Sequence, residues 1–176
     1  MRRKNDSSAW KGLAAGMAGG LAGTWVMTEF QNIWNNAERK RQQRENPQKS
    51  EQKGKSEQSA DATMKTAGAI SESFTGRPLS YQEQKKAAPI VHYGFGTLMG
   101  ALYGVATEKL PALSKDMGLT YATALFVGAD EVAIPALGLG PHPVDTPLSK
   151  HAYALMSHWI YGITADVVRR GVRFAL

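Results

Sequence analysis

Residues 117–139 read MGLTYATALFVGADEVAIPALGL, an apolar run with no Lys or Arg that holds Asp130 and Glu131 near its middle. A run of this length predicts a helix able to cross a hydrocarbon core, which takes about 20 residues. The acids make the reading demanding. One charged residue at bilayer depth costs about 2.5–3.5 kcal/mol on insertion scales, so two adjacent carboxylates need partners, protonation or water.

Three further apolar blocks flank this one, at residues 12–30, 88–107 and 151–168. The fold class expected from them is all-α, an integral membrane four-helix bundle with a short amphipathic helix and a polar, flexible arm. The organisation runs from a basic tail at 1–11 through a first membrane helix at 12–35 to a polar charged arm at 36–60. An amphipathic helix at 61–75 follows, with Met64, Ala67, Ile70 and Phe74 at helical spacing. Residues 80–176 then form a three-helix membrane region with spans at about 88–107, 117–139 and 151–170. Block one follows Arg2, Arg3 and Lys4 but precedes no A-x-A cleavage site, so it reads as an uncleaved anchor. Ser80 with Glu83 makes a capping box for a helix start. Pro89 either kinks that helix or occupies its first turn.

The chain of 176 residues carries 21 Lys and Arg against 15 Asp and Glu, a formal charge of +6. Its basic residues sit in tails and in the arm, interleaved with Glu and Gln and without aromatic platforms for bases, so no nucleic acid is expected as a partner. Membrane lipids with anionic headgroups account for the charge equally well. No cysteine is present, which excludes disulfides and thiolate chemistry. Between blocks one and two lie eleven Lys and Arg and seven acids. This run opposes the termini, whose basic residues favour both ends in the cytoplasm.

Small residues supply a packing pattern. Gly12, Gly16 and Gly20 recur every four residues in block one, with Gly19 and Gly23 one notch around; Gly96, Gly100 and Gly104 do so in block two. Residues four apart share a helix face, so each run admits a neighbouring backbone closely. His92 extends the second run, and block four carries His158, Gly162, Asp166 and Arg170 on one stripe. With helices crossing in alternation at ~1.5 Å per residue, His92, Asp130 and His158 fall at about 6, 12 and 10 Å from one face. They define a buried polar layer of His92, Asp130, Glu131 and His158. Pro135 has no N–H for the carbonyl of Glu131, freeing an acceptor beside that layer. Neighbouring residues diverge by about 100° around a helix, so the two acids face different neighbours.

Catalytic signatures are missing: no H-E-x-x-H, G-x-S-x-G or P-loop occurs. His142 and Asp145 in GPHPVDTP read as parts of a rigid turn. Arg169 and Arg170, three and four residues after Asp166, read as a helix-end ion pair.

The stretches VHYGFGTLMGALYG, GADEVAIPALGLGPHP and HWIYGITADVVRR resemble the YagU-like family of bacterial inner-membrane proteins, whose biochemical role is not established. The resemblance runs from about residue 60 to the end, takes in block one more loosely and does not extend to the Gln-rich arm at 36–60. It implies four spans and a multi-pass inner-membrane address, and it supplies no catalytic residues. Three functions remain open. The first is an accessory or packing subunit of a larger membrane assembly, meeting a membrane-protein partner or a second copy through its glycine faces. The second is a proton- or cation-responsive protein using the His/Asp/Glu layer. The third is a holder of a haem- or chlorophyll-type cofactor seated against a glycine face, although the sequence requires no cofactor.

Overall fold

Gly16 decides how the first helix packs. A Cβ placed there would stand 2.3 Å from the carbonyl oxygen of Gly100, so the two backbones meet directly. In the computed structural model, which describes residues 3–45 and 62–176, the chain forms α1 (Arg3–Glu45), α2 (Ala62–Thr75), α3 (Tyr81–Lys109), α4 (Leu119–Leu125) and α5 (Leu148–Ala175). A π-helical stretch, Phe126–Ala133, and one turn, Ile134–Ala136, continue α4. Short 3-10 turns occupy Pro111–Ser114 and Pro143–Asp145. The described residues are all-helical, without strands.

They group into two compact units, Met1–Met27 with His92–Leu176 and Thr28–Val91. In the first unit, Gly12, Gly16 and Gly20 of α1 meet Gly104, Gly100 and Gly96 of α3 in descending order, so these helices run antiparallel. Gly19 and Gly23 abut the carbonyls of Ala165 and Tyr161, which seats α5 on a second face of α1. Gly162 closes the set: a Cβ there would lie 2.6 Å from Ala122 Cβ and 2.7 Å from Gly118 O, joining α5 to α4. Gly118 has φ +80° at the start of α4, a left-handed conformation that glycine adopts without steric cost. A Cβ there would also stand 2.6 Å from Gly162 O, so two demands fall on this one residue.

In the second unit, the Ser80–Glu83 capping box is present. Glu83 Oε2 accepts from Ser80 N–H at 2.9 Å and from its hydroxyl at 2.8 Å, and α3 begins at Tyr81. The backbone N–H of Ser80, its hydroxyl and the nearby Arg77 hold the Glu83 carboxyl down at about 2. Pro89 lies inside a helix that continues on both sides of it. Helix α2 buries Met64 and Ala67, while Ile70 is exposed and Phe74 is 86% exposed. Helix α1 continues through 36–45, the start of the expected arm; its remainder, 46–60, lies outside the described residues, as do residues 1 and 2 of the basic tail.

The expectation of an integral membrane bundle is overturned: among the described residues, no helix is long and apolar enough to cross a membrane. The spans read at 12–35, 88–107, 117–139 and 151–170 are therefore corrected to helices that do not qualify as transmembrane segments. Two physical reasons apply. Helices α1, α3 and α5 have 43, 29 and 28 residues, so their shortfall is in apolarity: their blocks are rich in Gly and Ala, which contribute little hydrophobic area. The most apolar block, 117–139, is divided into α4, the π-helical stretch and a single turn of 7, 8 and 3 residues.

Candidate functional site

Asp130 and Glu131 sit on the π-helical stretch. There the N–H of Ile134 donates to the carbonyl of Ala129, a five-residue step. Pro135 follows with no N–H to give, which disfavours an unbroken α ladder, and a widened coil at such a point commonly marks a functional position. The adjacent acids face different partners. Glu131 Oε1 is 2.6 Å from His151 Nδ1, and the other ring nitrogen of His151 lies 3.1 Å from Pro143 O and 3.2 Å from Thr146 O. Acceptors at both nitrogens favour the doubly protonated imidazolium. The bond to Glu131, helped by the Pro143 and Thr146 carbonyls, raises the His151 pKa from its ordinary 6.5.

Asp130 faces α5. Its Oδ2 stands 3.8 Å from Nδ1 of buried His158, and that nitrogen is 2.9 Å from Ala154 O, to which it donates. Although 42% of the Asp130 side chain is exposed, protein crowded around its carboxyl raises its pKa, with His158 opposing and Glu131 reinforcing the rise. Phe126 lies against the His158 ring at 5.6 Å between centroids. His92 is on α3, its ring edge-on to Tyr93 at 6.0 Å. Of the layer read from the sequence, the structure thus brings Asp130 to His158 and sends Glu131 to His151. His151 was missed because its pairing depends on the turn at Pro143–Asp145 folding back, which no helical spacing encodes. Among the described residues, no three His, Cys, Asp or Glu side chains form a group that could hold a metal ion.

A second polar cluster lies where α3, α4 and α5 meet. Asp166 is fully buried; it accepts from Tyr103 Oη at 3.0 Å, from Arg169 Nη2 at 2.6 Å and from Arg170 Nε at 2.7 Å. Arg169 also lies over the Tyr103 ring, 5.5 Å from its centroid. Tyr103 stacks on Tyr121 at 4.4 Å, and Tyr121 donates to Met99 O at 2.8 Å. Burial, reinforced by Asp166, drives the Tyr103 pKa above its ordinary value; burial pushes that of Tyr161, which donates to Gly96 O, up to about 12. Glu108 and Arg173 close the end with bonds of 2.6 and 3.1 Å. The sequence shows the Asp166–Arg169–Arg170 spacing; Tyr103 and Arg173 require tertiary contacts.

Among the described residues the protein is all-helical, with helices packed through glycines, an ionic cluster inside and acid–histidine pairs on a widened coil. The chain belongs to the family described as "Protein of unknown function (DUF1440)", whose model matches residues 43–167. That match takes in much of the Gln-rich arm and begins near the end of α1. Neither the curated proteins nor the solved structures give a match.

Proposed function

We propose that this protein is an accessory or packing subunit of a larger assembly at the bacterial inner membrane, and that within its family it is of the YagU-like kind. One observation carries the reading: large apolar side chains lie outside and small or polar ones inside. On α1, Trp10, Leu13, Met17, Leu21 and Trp25 are exposed along one stripe, whereas Ala15 and Thr24 are buried. On α3, Phe95, Leu98 and Leu102 are exposed, while Ala101 and Tyr103 are buried. Exposed apolar patches of this extent mark surfaces that another apolar surface covers. The role does not require a helix of this chain to cross the bilayer. In mild detergent the protein should migrate with a stoichiometric companion. Replacing Leu13, Met17 and Leu21 with Gln should release it while leaving the melting temperature of the isolated chain within a few degrees. A monodisperse monomer in detergent-free buffer at high concentration would refute the proposal.

The second reading, a proton-responsive protein, draws support from the two acid–histidine pairs. A group whose folded pKa is raised binds its proton more tightly when folded, so its contribution to stability is complete below the unfolded pKa and lost as pH rises through the folded value. For Asp130 that loss begins above 3.8, and for His151 above 6.5. Stability should therefore decline in two windows as pH rises. Asp130→Asn should flatten the lower window and leave the upper, whereas Glu131→Gln should flatten the upper and also narrow the lower, because the Glu131 charge contributes to the Asp130 rise. Melting temperatures from pH 4 to 8 test this; identical profiles for wild type and both variants would leave the pairs as static contacts. The room on the glycine face that a haem- or chlorophyll-type cofactor would use is filled by α1, since a Cβ on Gly100 would stand 2.4 Å from Gly20 Cα.

A further inference from the structure

Past Met27, helix α1 continues to Glu45 and presents a surface unlike the rest of it. At 3.6 residues per turn, Phe30, Ile33, Trp34, Ala37, Lys40, Arg41 and Arg44 fall at steps of three and four and share one face about 120° wide. The first half of this stripe is apolar. Ile33 is 69% exposed and Trp34 43%, and Phe30 supports Trp34 with ring centroids 5.9 Å apart. The second half is cationic, with Lys40, Arg41 and Arg44 all exposed. Glu29 and Glu38 lie to either side of it, and the Glu38 carboxylate accepts from Gln42 at 2.8 Å. Arg39 projects from the opposite side of the helix.

We propose that this face of α1 docks on an anionic phospholipid surface, with Ile33 and Trp34 in the interfacial zone and Lys40, Arg41 and Arg44 on the headgroup phosphates. Charge complementarity selects this occupant. A Trp with neighbouring apolar residues and a Lys/Arg cluster along one face is the composition with which a helix lies in the plane of an anionic bilayer interface. A protein groove of acidic residues would match the cations but not the tryptophan. The inference rests on the membrane address proposed above, though not on the accessory role.

Flotation of the full-length protein with vesicles tests it. Vesicles of phosphatidylcholine with 30 per cent phosphatidylglycerol should bind the protein on the order of 100-fold more tightly than vesicles of phosphatidylcholine alone, and salt should erase the difference. Each cation near the surface contributes about fivefold, so Lys40→Gln with Arg41→Gln and Arg44→Gln should weaken binding to the anionic vesicles on the order of 100-fold. Arg39→Gln with Lys85→Gln and Lys86→Gln removes as much charge from outside the stripe and should cost far less. Equal losses in the two triple variants would reduce the effect to net charge and overturn the proposal. So would displacement of the protein from anionic vesicles by stoichiometric duplex DNA, which would make nucleic acid the better ligand. Because the readout is lipid charge, failure here leaves a detergent-stable companion intact, whereas failure of the accessory reading leaves the lipid preference intact.

Discussion

Gly100→Ala should destabilise the protein by about 1–3 kcal/mol, although alanine is the better helix former. The added methyl would stand 2.4 Å from Gly20 Cα and 2.5 Å from Gly16 O, both backbone atoms that no rotamer change can move. Helices α1 and α3 must therefore separate, and separation also opens the contacts of Gly16 with Gly100 and of Gly12 with Gly104. Gly94→Ala on the same helix is the internal control. Nothing lies within 4 Å of its Cβ position, so that substitution should stabilise by about 0.5–1 kcal/mol through helix propensity alone. Leu98→Ala, on the exposed side, should cost less than Gly100→Ala. Thermal or denaturant unfolding of the three variants decides the matter. Equal stability of Gly100→Ala and Gly94→Ala would mean that the helices slide apart freely and that the glycine seam is not what orders them.

The same glycines show what sequence reading can and cannot supply. The four-residue recurrence of Gly12, Gly16 and Gly20 and of Gly96, Gly100 and Gly104 is legible as a face because helical geometry is local. The Ser80–Glu83 box is legible for the same reason. The membrane-spanning interpretation went further than the residues allow: an apolar block built from glycine and alanine brings backbones together but carries little hydrophobic area. Block 117–139 failed differently. Its helix widens at Phe126–Ala133 ahead of Pro135, and a change of ladder register has no signature beyond the proline itself. At the candidate site, the Asp130–His158 approach follows from the depth of each residue along antiparallel helices. Glu131–His151 does not, since His151 is brought back by a loop whose path depends on tertiary packing.

Asp166→Asn should cost about 3–5 kcal/mol, because it breaks a buried ion pair from one side only. Asp166 has no exposed surface and Arg169 keeps 6%, so the substitution leaves a guanidinium buried without its carboxylate. An asparagine oxygen could still accept one hydrogen bond; it could not neutralise the charge that Asp166 shares between Arg169 and Arg170. Tyr103→Phe, which removes one donor of a charge-assisted bond, should cost less, about 1.5–3 kcal/mol. The comparison that separates pairing from mere packing is the double variant Asp166→Leu with Arg169→Met. Once both charges are gone, the desolvation cost of each goes with them, so the double variant should be more stable than Asp166→Asn alone. Unfolding free energies of the four proteins test this at neutral pH. A double variant less stable than Asp166→Asn would show that Arg169 is held chiefly by its contact with the Tyr103 ring and not by the carboxylate.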